Sequence, residues 1–290
     1  MSTLQFGLGV PASAAPGRDP VALARRAEDL GFDFVSTSDH PAGGEPSYEA
    51  WTMLSWIAAA TSRITVATRV LGVPYRHPAM VAKMAETLDR LSGGRLILGL
   101  GGGYSDAEFR AFGLGVPSPR EKIDGLAEAV TVIRGLWSGP AFSFDGTRYR
   151  AEAADLEPKP AHHIPVWLGT FGPRALAVTG RLADGWIPSL GYNPPEQLPV
   201  MRDRVLAAAR AAGRDPGQLT CALNLQVRLG GRAGADPGVL SGPPGEVAER
   251  LAGFARAGFT AFNFLPAGDP IEDEAERLAH DVLPAVTAAV

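Results

Sequence analysis

The sequence predicts a closed (β/α)₈ barrel. Eight short apolar or β-branched runs alternate with longer segments of helical hydrophobic periodicity, and most of these segments begin with a proline near their first turn. Eight strand–helix units fit the 290 residues with only modest insertions. The alternative architecture is an open, doubly wound sheet. We expect residues 1–290 to form one barrel domain.

The strands are predicted where β-branched and aromatic residues run together between turn-forming residues. They cover residues 4–10, 32–38, 64–71, 95–100, 164–169, 184–189, 219–229 and 259–265. Each strand is followed by a helix, predicted from apolar positions three or four residues apart. The helices cover residues 19–30, 49–60, 78–91, 119–137, 173–182, 194–212, 243–257 and 271–288. Because barrel chemistry takes place at the carboxyl ends of the strands, residues directly after each strand are site candidates.

Two segments interrupt this alternation. Residues 142–149 alternate about an Asp145-Gly146 turn and predict a hairpin between the fourth helix and the fifth strand. This hairpin starts from the side of the barrel opposite the strand exits, so we expect it to have a structural role and no catalytic one. Residues 230–242 follow the seventh strand and are rich in glycine, which predicts a mobile lid over the site.

Charge and composition exclude several classes of partner. The net charge is -4 and no run is rich in lysine or arginine, so we expect no nucleic-acid binding. No apolar run approaches the roughly 20 residues of a membrane span, and we expect a cytoplasmic protein. Cys221 is the single cysteine; it cannot form an intrachain disulfide, and its strand-like surroundings predict a buried, inert thiol.

Three strand exits carry unusual chemistry. The second strand is followed by Ser38-Asp39-His40-Pro41. The fourth strand ends within residues 99–104, Gly-Leu-Gly-Gly-Gly-Tyr, and the fifth ends within residues 169–173, Gly-Thr-Phe-Gly-Pro. Glycine backbone lets a flat or anionic ligand approach closely. Because the carboxyl ends of barrel strands meet on one face, these segments predict one shared site.

Three common kinds of site do not fit. A dinucleotide fingerprint needs a third glycine where Tyr104 stands, and no Gly-Lys-Ser/Thr motif follows a glycine cluster. Of the five histidines, His162 and His163 precede the fifth strand and belong to the opposite face of the barrel. No histidine pair has a metal-ligand spacing, so we expect no metal centre.

Several short motifs together resemble the bacterial luciferase-like flavin oxidoreductases over essentially the whole chain. The motifs are Asp39-His40, Thr68-Arg69-Val70-Leu71, Arg76-His77-Pro78, Leu91-Ser92-Gly93-Gly94-Arg95, Leu98-Gly99-Leu100-Gly101 and Ala183-Asp184-Gly185-Trp186. Within that superfamily, Ser38-Asp39-His40 and the short length most resemble the branch that uses coenzyme F420, a deazaflavin. FMN-dependent monooxygenases are the nearest alternative. A non-catalytic barrel that binds a flavin or deazaflavin is a third possibility.

The resemblance implies an oxidoreductase that transfers a hydride between F420 and a small-molecule organic substrate. Asp39 and His40 match the pair that contacts the deazaflavin, and His40 matches the residue that exchanges a proton near the hydride-carrying carbon. An imidazole suits this role because its ordinary pKa lies near physiological pH. The alternative reading is that Asp39 only satisfies turn amides.

The resemblance also implies how the cofactor ring and chain are held. The matching non-prolyl cis peptide bond is Arg69–Val70, which would bulge against the ring face, and Gly72 would face the polar edge of the ring. The sugar-alcohol chain of the cofactor would lie along the backbone of Gly101, Gly102 and Gly103. A β-carbon would not be tolerated there, because the cofactor would approach this backbone closely and flat.

The helix predicted to begin at Pro173 presents free amide groups that suit a phosphate. The candidate phosphate-binding residues are Gly169, Thr170, Gly172 and Arg174, and an F420 tail with carboxylates could use Arg174, Arg18, Arg76 or Arg232. Tyr104 stands where the sugar-phosphate dehydrogenases of the family carry a catalytic carboxylate. The phenol could donate a hydrogen bond to a carbonyl substrate, or only pack on the pocket wall.

The resemblance further implies a homodimer. Relatives commonly pair through their second and third helices, and the third predicted helix has an apolar stripe at helical spacing, formed by Met80, Val81, Met84, Ala85 and Leu88. We expect an isologous interface between two copies of the chain.

Overall fold

Eight parallel strands close into a barrel in the computed structural model, which describes residues 4–42, 45–230 and 238–290. In chain order the strands are β1 (Gln5–Gly9), β2 (Phe34–Thr37), β3 (Thr65–Thr68), β4 (Leu71–Gly72), β5 (Leu96–Gly101), β6 (Phe142–Asp145), β7 (Arg150–Ala154), β8 (Val166–Leu168), β9 (Gly185–Trp186), β10 (Thr220–Leu229), β11 (Val239–Gly242) and β12 (Ala261–Pro266). The barrel order is β1-β2-β3-β5-β8-β9-β10-β12, and β12 pairs with β1 to close it. The predicted barrel is therefore confirmed.

Helices cover the outside of the barrel. They are α1 (Pro20–Asp29), α2 (Ala50–Ala60), α3 (Pro78–Ser92), α4 (Asp106–Ala111), α5 (Pro119–Ser138), α6 (Pro173–Leu182), α7 (Gln197–Ala211), α8 (Pro244–Arg256), α9 (Ile271–Arg277) and α10 (Leu283–Ala288). A π-helical turn, Leu278–Val282, separates α9 from α10, where the sequence predicts one continuous helix. No helix in the described ranges is long and apolar enough to cross a membrane.

Local sequence signals fix several helix ends. A capping box opens α5: the Ser118 hydroxyl accepts from the Glu121 amide, and the Glu121 carboxylate accepts from the Ser118 amide. Proline occupies the first turn of α3, α5 and α6. Gly93 ends α3 with a φ of 74°, in the left-handed region that glycine enters without strain.

The third predicted strand is interrupted. The sequence predicts one strand over residues 64–71, but the structure contains β3 and β4 with a cis Arg69–Val70 peptide bond between them. Both short strands pair in parallel with β5. The interruption displaces Arg69 and Val70 from the sheet at the strand-exit side.

The interior of the barrel is filled by one apolar cluster contributed by its strands and their ends. Its members are Phe34, Ala67, Ile97, Trp167, Ile187, Ala222 and Ala261. Phe34 and Trp167 meet edge to face, with ring centroids 5.7 Å apart. Gly7 makes room for this pair, because a β-carbon there would lie 2.2 Å from the Phe34 ring. The filled interior leaves the strand exits as the face that can form a site.

The predicted hairpin forms with a different second strand. The prediction covers residues 142–149, whereas β7 begins at Arg150 and runs to Ala154. Glu128 on α5 accepts hydrogen bonds from the amides of Thr147, Arg148 and Tyr149, at 2.9, 2.8 and 3.0 Å, and so holds the turn. The Tyr149 ring contacts His77, which caps the start of α3 on the strand-exit side of the barrel. The turn therefore reaches the strand-exit side, although the hairpin starts from the opposite side.

The glycine-rich segment predicted as a lid is partly a strand. Val239–Gly242 forms β11, which pairs in parallel with β10, and its first two residues, Val239 and Leu240, have the composition of a strand. Gly230 and Gly242 form an isolated bridge. The central part of the predicted lid, residues 231–237 including Arg232, lies outside the described residues.

Candidate active site

The carboxyl ends of the barrel strands surround a cavity of about 560 Å³. Most of the predicted site residues contribute to its wall: Asp39, His40, Arg69, Val70, Gly72, Gly101, Gly102, Gly103, Tyr104 and Gly169. Thr170, Gly172 and Arg174 do not line it. Strand exits far apart in the chain therefore meet at one place, as the sequence predicts.

The Asp39 carboxylate is fully engaged by the protein. Its Oδ2 accepts hydrogen bonds from the Gly72 amide at 3.0 Å and from Arg76 Nη1 at 2.8 Å, and its Oδ1 accepts from Arg76 Nη2 at 3.0 Å. The side chain is only 3% exposed. A two-point contact with a guanidinium fixes both oxygens. Asp39 therefore holds the second and third strand exits together and is not a free acid or base.

Arg76 joins two carboxylates. Its Nη2 also contacts Glu49, which caps α2 by accepting from the Trp51 and Thr52 amides. Burial disfavours the charged guanidinium, but its hydrogen bonds and charge pairs with Asp39 and Glu49 outweigh this and raise the pKa of Arg76. Burial acts against the Glu49 carboxylate too, yet the bonds from Thr52, Trp51 and Arg76 lower its pKa. Arg76 is thus unavailable for a cofactor tail.

His40 is oriented by a buried carboxylate. Its Nδ1 lies 3.1 Å from Oε1 of Glu108, whose side chain is 9% exposed, whereas the imidazole is 48% exposed. An ionised carboxylate only accepts hydrogen bonds, so we assign the proton to Nδ1 and the free lone pair to Nε2. His40 therefore presents one defined ring nitrogen to the cavity.

Glu108 has a second donor, the Tyr75 hydroxyl. Burial raises the pKa of Tyr75, and so do its hydrogen bond to Glu108 and the charges of Glu108 and Asp39. The phenol is therefore protonated throughout the physiological range and donates to the carboxylate. With donors on both sides, Glu108 is held in one position at the Nδ1 edge of the His40 ring.

The sequence analysis missed Glu108 together with its helix. α4 is six residues long, too short to show a clear apolar period, and the residues between Tyr104 and Pro119 carry no predicted element. A usable signal exists, since Ser105 and Glu108 have the Ser-x-x-Glu spacing of a helix start. The Ser105 hydroxyl accepts from the Glu108 amide at 3.2 Å, while the Glu108 carboxylate is directed to His40.

The glycines of the fourth strand exit are explained by packing inside the protein. A β-carbon on Gly101 would lie 2.7 Å from Val70 Cγ2, one on Gly102 would lie 3.0 Å from the Lys122 carbonyl oxygen, and one on Gly103 would lie 2.4 Å from the Phe109 ring. The sequence-based reason, close approach of a flat ligand, is therefore incomplete. These glycines line the cavity, but side chains there are first excluded by the protein itself.

The amino terminus of α6 is open where an anion could approach. Gly172 is its N-cap residue, and a β-carbon there would meet no atom within 4 Å from the described residues beyond its two chain neighbours. Thr170 faces the protein: its hydroxyl lies 2.7 Å from that of Thr179 and its carbonyl accepts from Trp186. Arg174 is paired with Asp124. The open helix terminus thus offers backbone amides, chiefly near Gly172.

The remaining polar candidates are accounted for elsewhere. Arg18 lies 3.3 Å from Asp269, and His162 lies 2.9 Å from the buried Asp89 on the opposite face of the barrel. Among the described residues no group of three or more His, Cys, Asp or Glu side chains could hold a metal ion. Cys221 is buried as predicted, and burial raises the pKa of its thiol to about 11.

The sequence profile of the luciferase-like monooxygenase family matches residues 2–236. The chain belongs to this family. It is 35% identical to an F420-dependent glucose-6-phosphate dehydrogenase of Nakamurella multipartita, over 71% of this chain and 63% of that protein. A protein of the same description from Intrasporangium calvum is 30% identical over 97% of this chain and 98% of its own length.

A solved structure with the same fold is an F420-dependent secondary alcohol dehydrogenase in complex with an F420-acetone adduct, at 22% identity and a TM-score of 0.88. The match covers 98% of this chain and 99% of that chain. The match with the Nakamurella multipartita enzyme spans less than two thirds of that enzyme's length, whereas the solved structure aligns almost end to end.

In this member of the luciferase-like monooxygenase family, aromatic side chains form one edge of the cavity. We call Tyr104, Phe171 and Tyr192 the aromatic rim. The Tyr192 ring centroid lies 5.9 Å from that of Tyr104 and 5.5 Å from that of Phe171, and Tyr104 meets the His40 ring edge on at 6.4 Å. Burial raises the pKa of Tyr192, as do the charge and hydrogen bond of Tyr104, whereas Arg69 lowers it.

A line of buried polar side chains crosses the barrel to the cavity. Ser36 Oγ donates to Asn263 Oδ1 at 2.9 Å, Asn263 Nδ2 donates to Asn224 Oδ1 at 2.9 Å, and Asn224 Nδ2 donates to Ser189 Oγ at 3.3 Å. Asn224 and Ser189 line the cavity. Each bond fixes the direction of the next, so the Ser189 hydroxyl keeps its own hydrogen available to a ligand.

Proposed function

We propose that this chain is an F420-dependent oxidoreductase that transfers a hydride between the deazaflavin and a small organic substrate. The F420-dependent relatives, one of them matched over nearly its whole length, support this proposal. The observation that carries it is the His40–Glu108 pair, a single oriented imidazole in the strand-exit cavity of a luciferase-like barrel. FMN-dependent monooxygenation and non-catalytic binding of the cofactor are the alternatives that the tests below address.

The site residues fit a cofactor with a flat ring, a sugar-alcohol chain and a phosphate. Val70 presents an apolar side chain at the bulge between β3 and β4, and the Gly72 amide beside it is already held by Asp39. We propose that the sugar-alcohol chain of the cofactor lies along Gly101, Gly102 and Gly103. We propose that its phosphate lies near Gly169, Thr170, Gly172 and Arg174. The open space at Gly172 supports this placement.

When bound, F420 supplies the two-electron hydride chemistry. His40 would then hold or move a proton at Nε2, because its Nδ1 is hydrogen-bonded to Glu108. The negative charge of Glu108 stabilises a protonated imidazole as the proton moves. Tyr104 adjoins His40, and we propose that its phenol donates a hydrogen bond to a substrate oxygen. Asp39 acts through Arg76 and Gly72, as a positioning group.

The glucose 6-phosphate activity named for the relatives is not part of this proposal. The resemblance places a catalytic carboxylate where Tyr104 stands, and a phenol cannot replace a carboxylate as a proton acceptor near neutral pH. We further propose that the protein works in the cytoplasm. Its single cysteine is buried, which is compatible with a reducing compartment.

We expect protein made in a host that lacks F420 to purify colourless and to bind added F420 at micromolar or tighter affinity. FMN should bind at least about tenfold more weakly, a difference of about 1.4 kcal/mol. Fluorescence quenching of F420, with FMN titrated in parallel, measures both constants. FMN that co-purifies with the protein, or equal affinity for the two, would contradict this result and favour the monooxygenase alternative.

A second proposal concerns assembly. The outer faces of α2 and α3 expose Trp56, Met80 and Leu91, at 70%, 58% and 82% of their surface. A groove of about 320 Å³ lies between these helices and is lined in part by Met84 and Leu88. Exposed large apolar side chains beside an apolar groove typically mark a protein interface. We propose that two copies pair through α2 and α3.

Light scattering at micromolar concentration should give twice the 30.4 kDa chain mass. Leu91→Glu should shift the equilibrium to monomer, because an interface core does not accommodate an unpaired charge. Leu114→Glu, at a half-exposed apolar position outside these helices, is the matched control and should leave the dimer intact. A wild-type protein that scatters only as a monomer would refute the proposal.

A further inference from the structure

Arg69 lines the cavity, and its side chain has no hydrogen-bonding or ionic partner among the described residues. Its Nε is buried and unpaired, and its backbone amide donates to the Thr37 carbonyl at 2.8 Å. The other site arginines differ: Arg76 binds Asp39 and Glu49, and Arg174 binds Asp124. Leaving a largely desolvated guanidinium unpaired is costly, so its position calls for an anionic ligand.

Arg69 is a cation despite its surroundings. Burial lowers the pKa of Arg69 to about 10, and the neighbouring Tyr192 hydroxyl acts in the opposite direction. A pKa of this size leaves the guanidinium protonated at neutral pH. The wall of the cavity therefore carries one positive charge that no described carboxylate neutralises.

The groups around this charge define the shape of the ligand. Tyr192, which neighbours Arg69, is the central member of the aromatic rim and contacts both Tyr104 and Phe171. Aromatic faces favour flat or apolar partners. A ligand with a flat body on the rim can thus place a negative group on Arg69.

We propose that Arg69 binds the carboxylate of a small, flat substrate whose body packs against the aromatic rim. This inference rests on the proposed function, since it names the substrate class of the same site. A guanidinium presents a fork of donors that matches the two oxygens of a carboxylate. The bound substrate would then lie beside His40, because Tyr104 contacts both the rim and the imidazole.

The charge balance favours a carboxylate over a phosphate ester. Arg69 is the only lysine or arginine among the residues that line the described cavity, and Asp39 lies in the same wall. One positive charge matches a monoanion. A dianion would need a second cation or an open helix terminus at that place, and the terminus of α6 is assigned to the cofactor in the proposed function.

The inference is tested by binding of matched probes to the full chain, with and without F420, by calorimetry. Benzoate and benzamide have nearly the same shape and differ in charge. We expect the wild type to bind benzoate at least about tenfold more tightly than benzamide, and glucose 6-phosphate at least about tenfold more weakly than benzoate. Arg69→Met should abolish the preference for benzoate, and Arg69→Lys should retain part of it.

The control variant is Arg150→Met, which removes the same charge from the exposed hairpin and should keep the wild-type preference. Protection of Arg69 from phenylglyoxal by benzoate, read by peptide mass spectrometry, tests the contact without a substitution. Equal binding of benzoate and benzamide by the wild type would overturn the inference. So would an Arg69→Met variant that loses F420 affinity but keeps the benzoate preference, because Arg69 would then serve the cofactor.

The two proposals fail in distinguishable ways. If F420 does not bind the wild type, the proposed function is wrong, while benzoate binding to the cofactor-free protein still measures the contact with Arg69. If F420 binds and benzoate shows no preference, the oxidoreductase proposal stands and the carboxylate assignment is wrong.

Discussion

Replacing His40 by alanine should lower turnover by about 10²–10⁴-fold and leave F420 affinity within about tenfold. The imidazole is the histidine that lines the described cavity and it is oriented by Glu108, whereas the proposed cofactor contacts are spread over several strand exits. Steady-state kinetics with the physiological substrate, and fluorescence quenching for F420, measure the two effects. Added imidazole should restore part of the turnover of this variant. Unchanged turnover would show that His40 has only a structural role in the turn after β2.

Glu108 provides the matched test of orientation. Glu108→Gln keeps an acceptor oxygen for His40 Nδ1 and should lower turnover by only about tenfold, whereas Glu108→Leu removes the acceptor and should approach the His40→Ala loss. Both variants should change kcat far more than KM. Imidazole should not rescue either one, because the ring itself is still present. Equal turnover in the two variants would exclude a positioning role for Glu108.

Replacing Asp39 by asparagine should destabilise the folded protein by about 3 kcal/mol. The amide would place a donor against the Arg76 guanidinium and leave a charge that is mostly buried with Glu49 as its remaining partner. Urea unfolding of the cofactor-free protein measures the loss. We expect weaker F420 binding as well, since the Gly72 amide loses its charged acceptor beside the cavity.

Glu49→Gln is the control for Asp39→Asn, because it alters the other carboxylate on the same guanidinium. The Glu49 side chain is 45% exposed, so its pair with Arg76 should contribute only about 0–1 kcal/mol, and glutamine keeps an acceptor for the α2 cap. Similar destabilisation by the two substitutions would show that burial does not decide the strength of these pairs here.

Much of the barrel can be predicted from local patterns. The eight barrel strands lie where the β-branched runs indicate, and α6 has the predicted bounds, because proline at its start and a strong apolar stripe act over neighbouring residues. The break between β3 and β4 could not be derived from such patterns, since Arg69 and Val70 continue an ordinary strand composition. Only the family resemblance indicated it.

The contacts that define the site are long-range. Asp39 and Arg76 are 37 residues apart, and His40 and Glu108 are 68 residues apart, so nothing in the local sequence couples them. The sequence identified Asp39 and His40 as a pair, whereas the structure assigns each its own partner. The lack of a side-chain partner for Arg69 among the described residues is likewise a property of the folded chain, since pairing of an arginine depends on which strand exits become neighbours.

The bulge at Val70 restricts the order in which substitutions at the cavity can be accepted. Methyl groups of Val70 occupy the space that a β-carbon would need at Gly101 and Gly169, at 2.7 and 3.2 Å. A side chain at Gly101 thus requires that Val70 become smaller or move, whereas at Gly169 Val70 needs to shift by only a few tenths of an ångström. At Gly99 the obstacle is the Thr68 carbonyl oxygen, 1.9 Å from the β-carbon position, and no exchange of side chains can remove it. Descendants of this sequence can therefore place a side chain at Gly101 only after Val70 has changed, whereas at Gly169 a small shift of Val70 is enough.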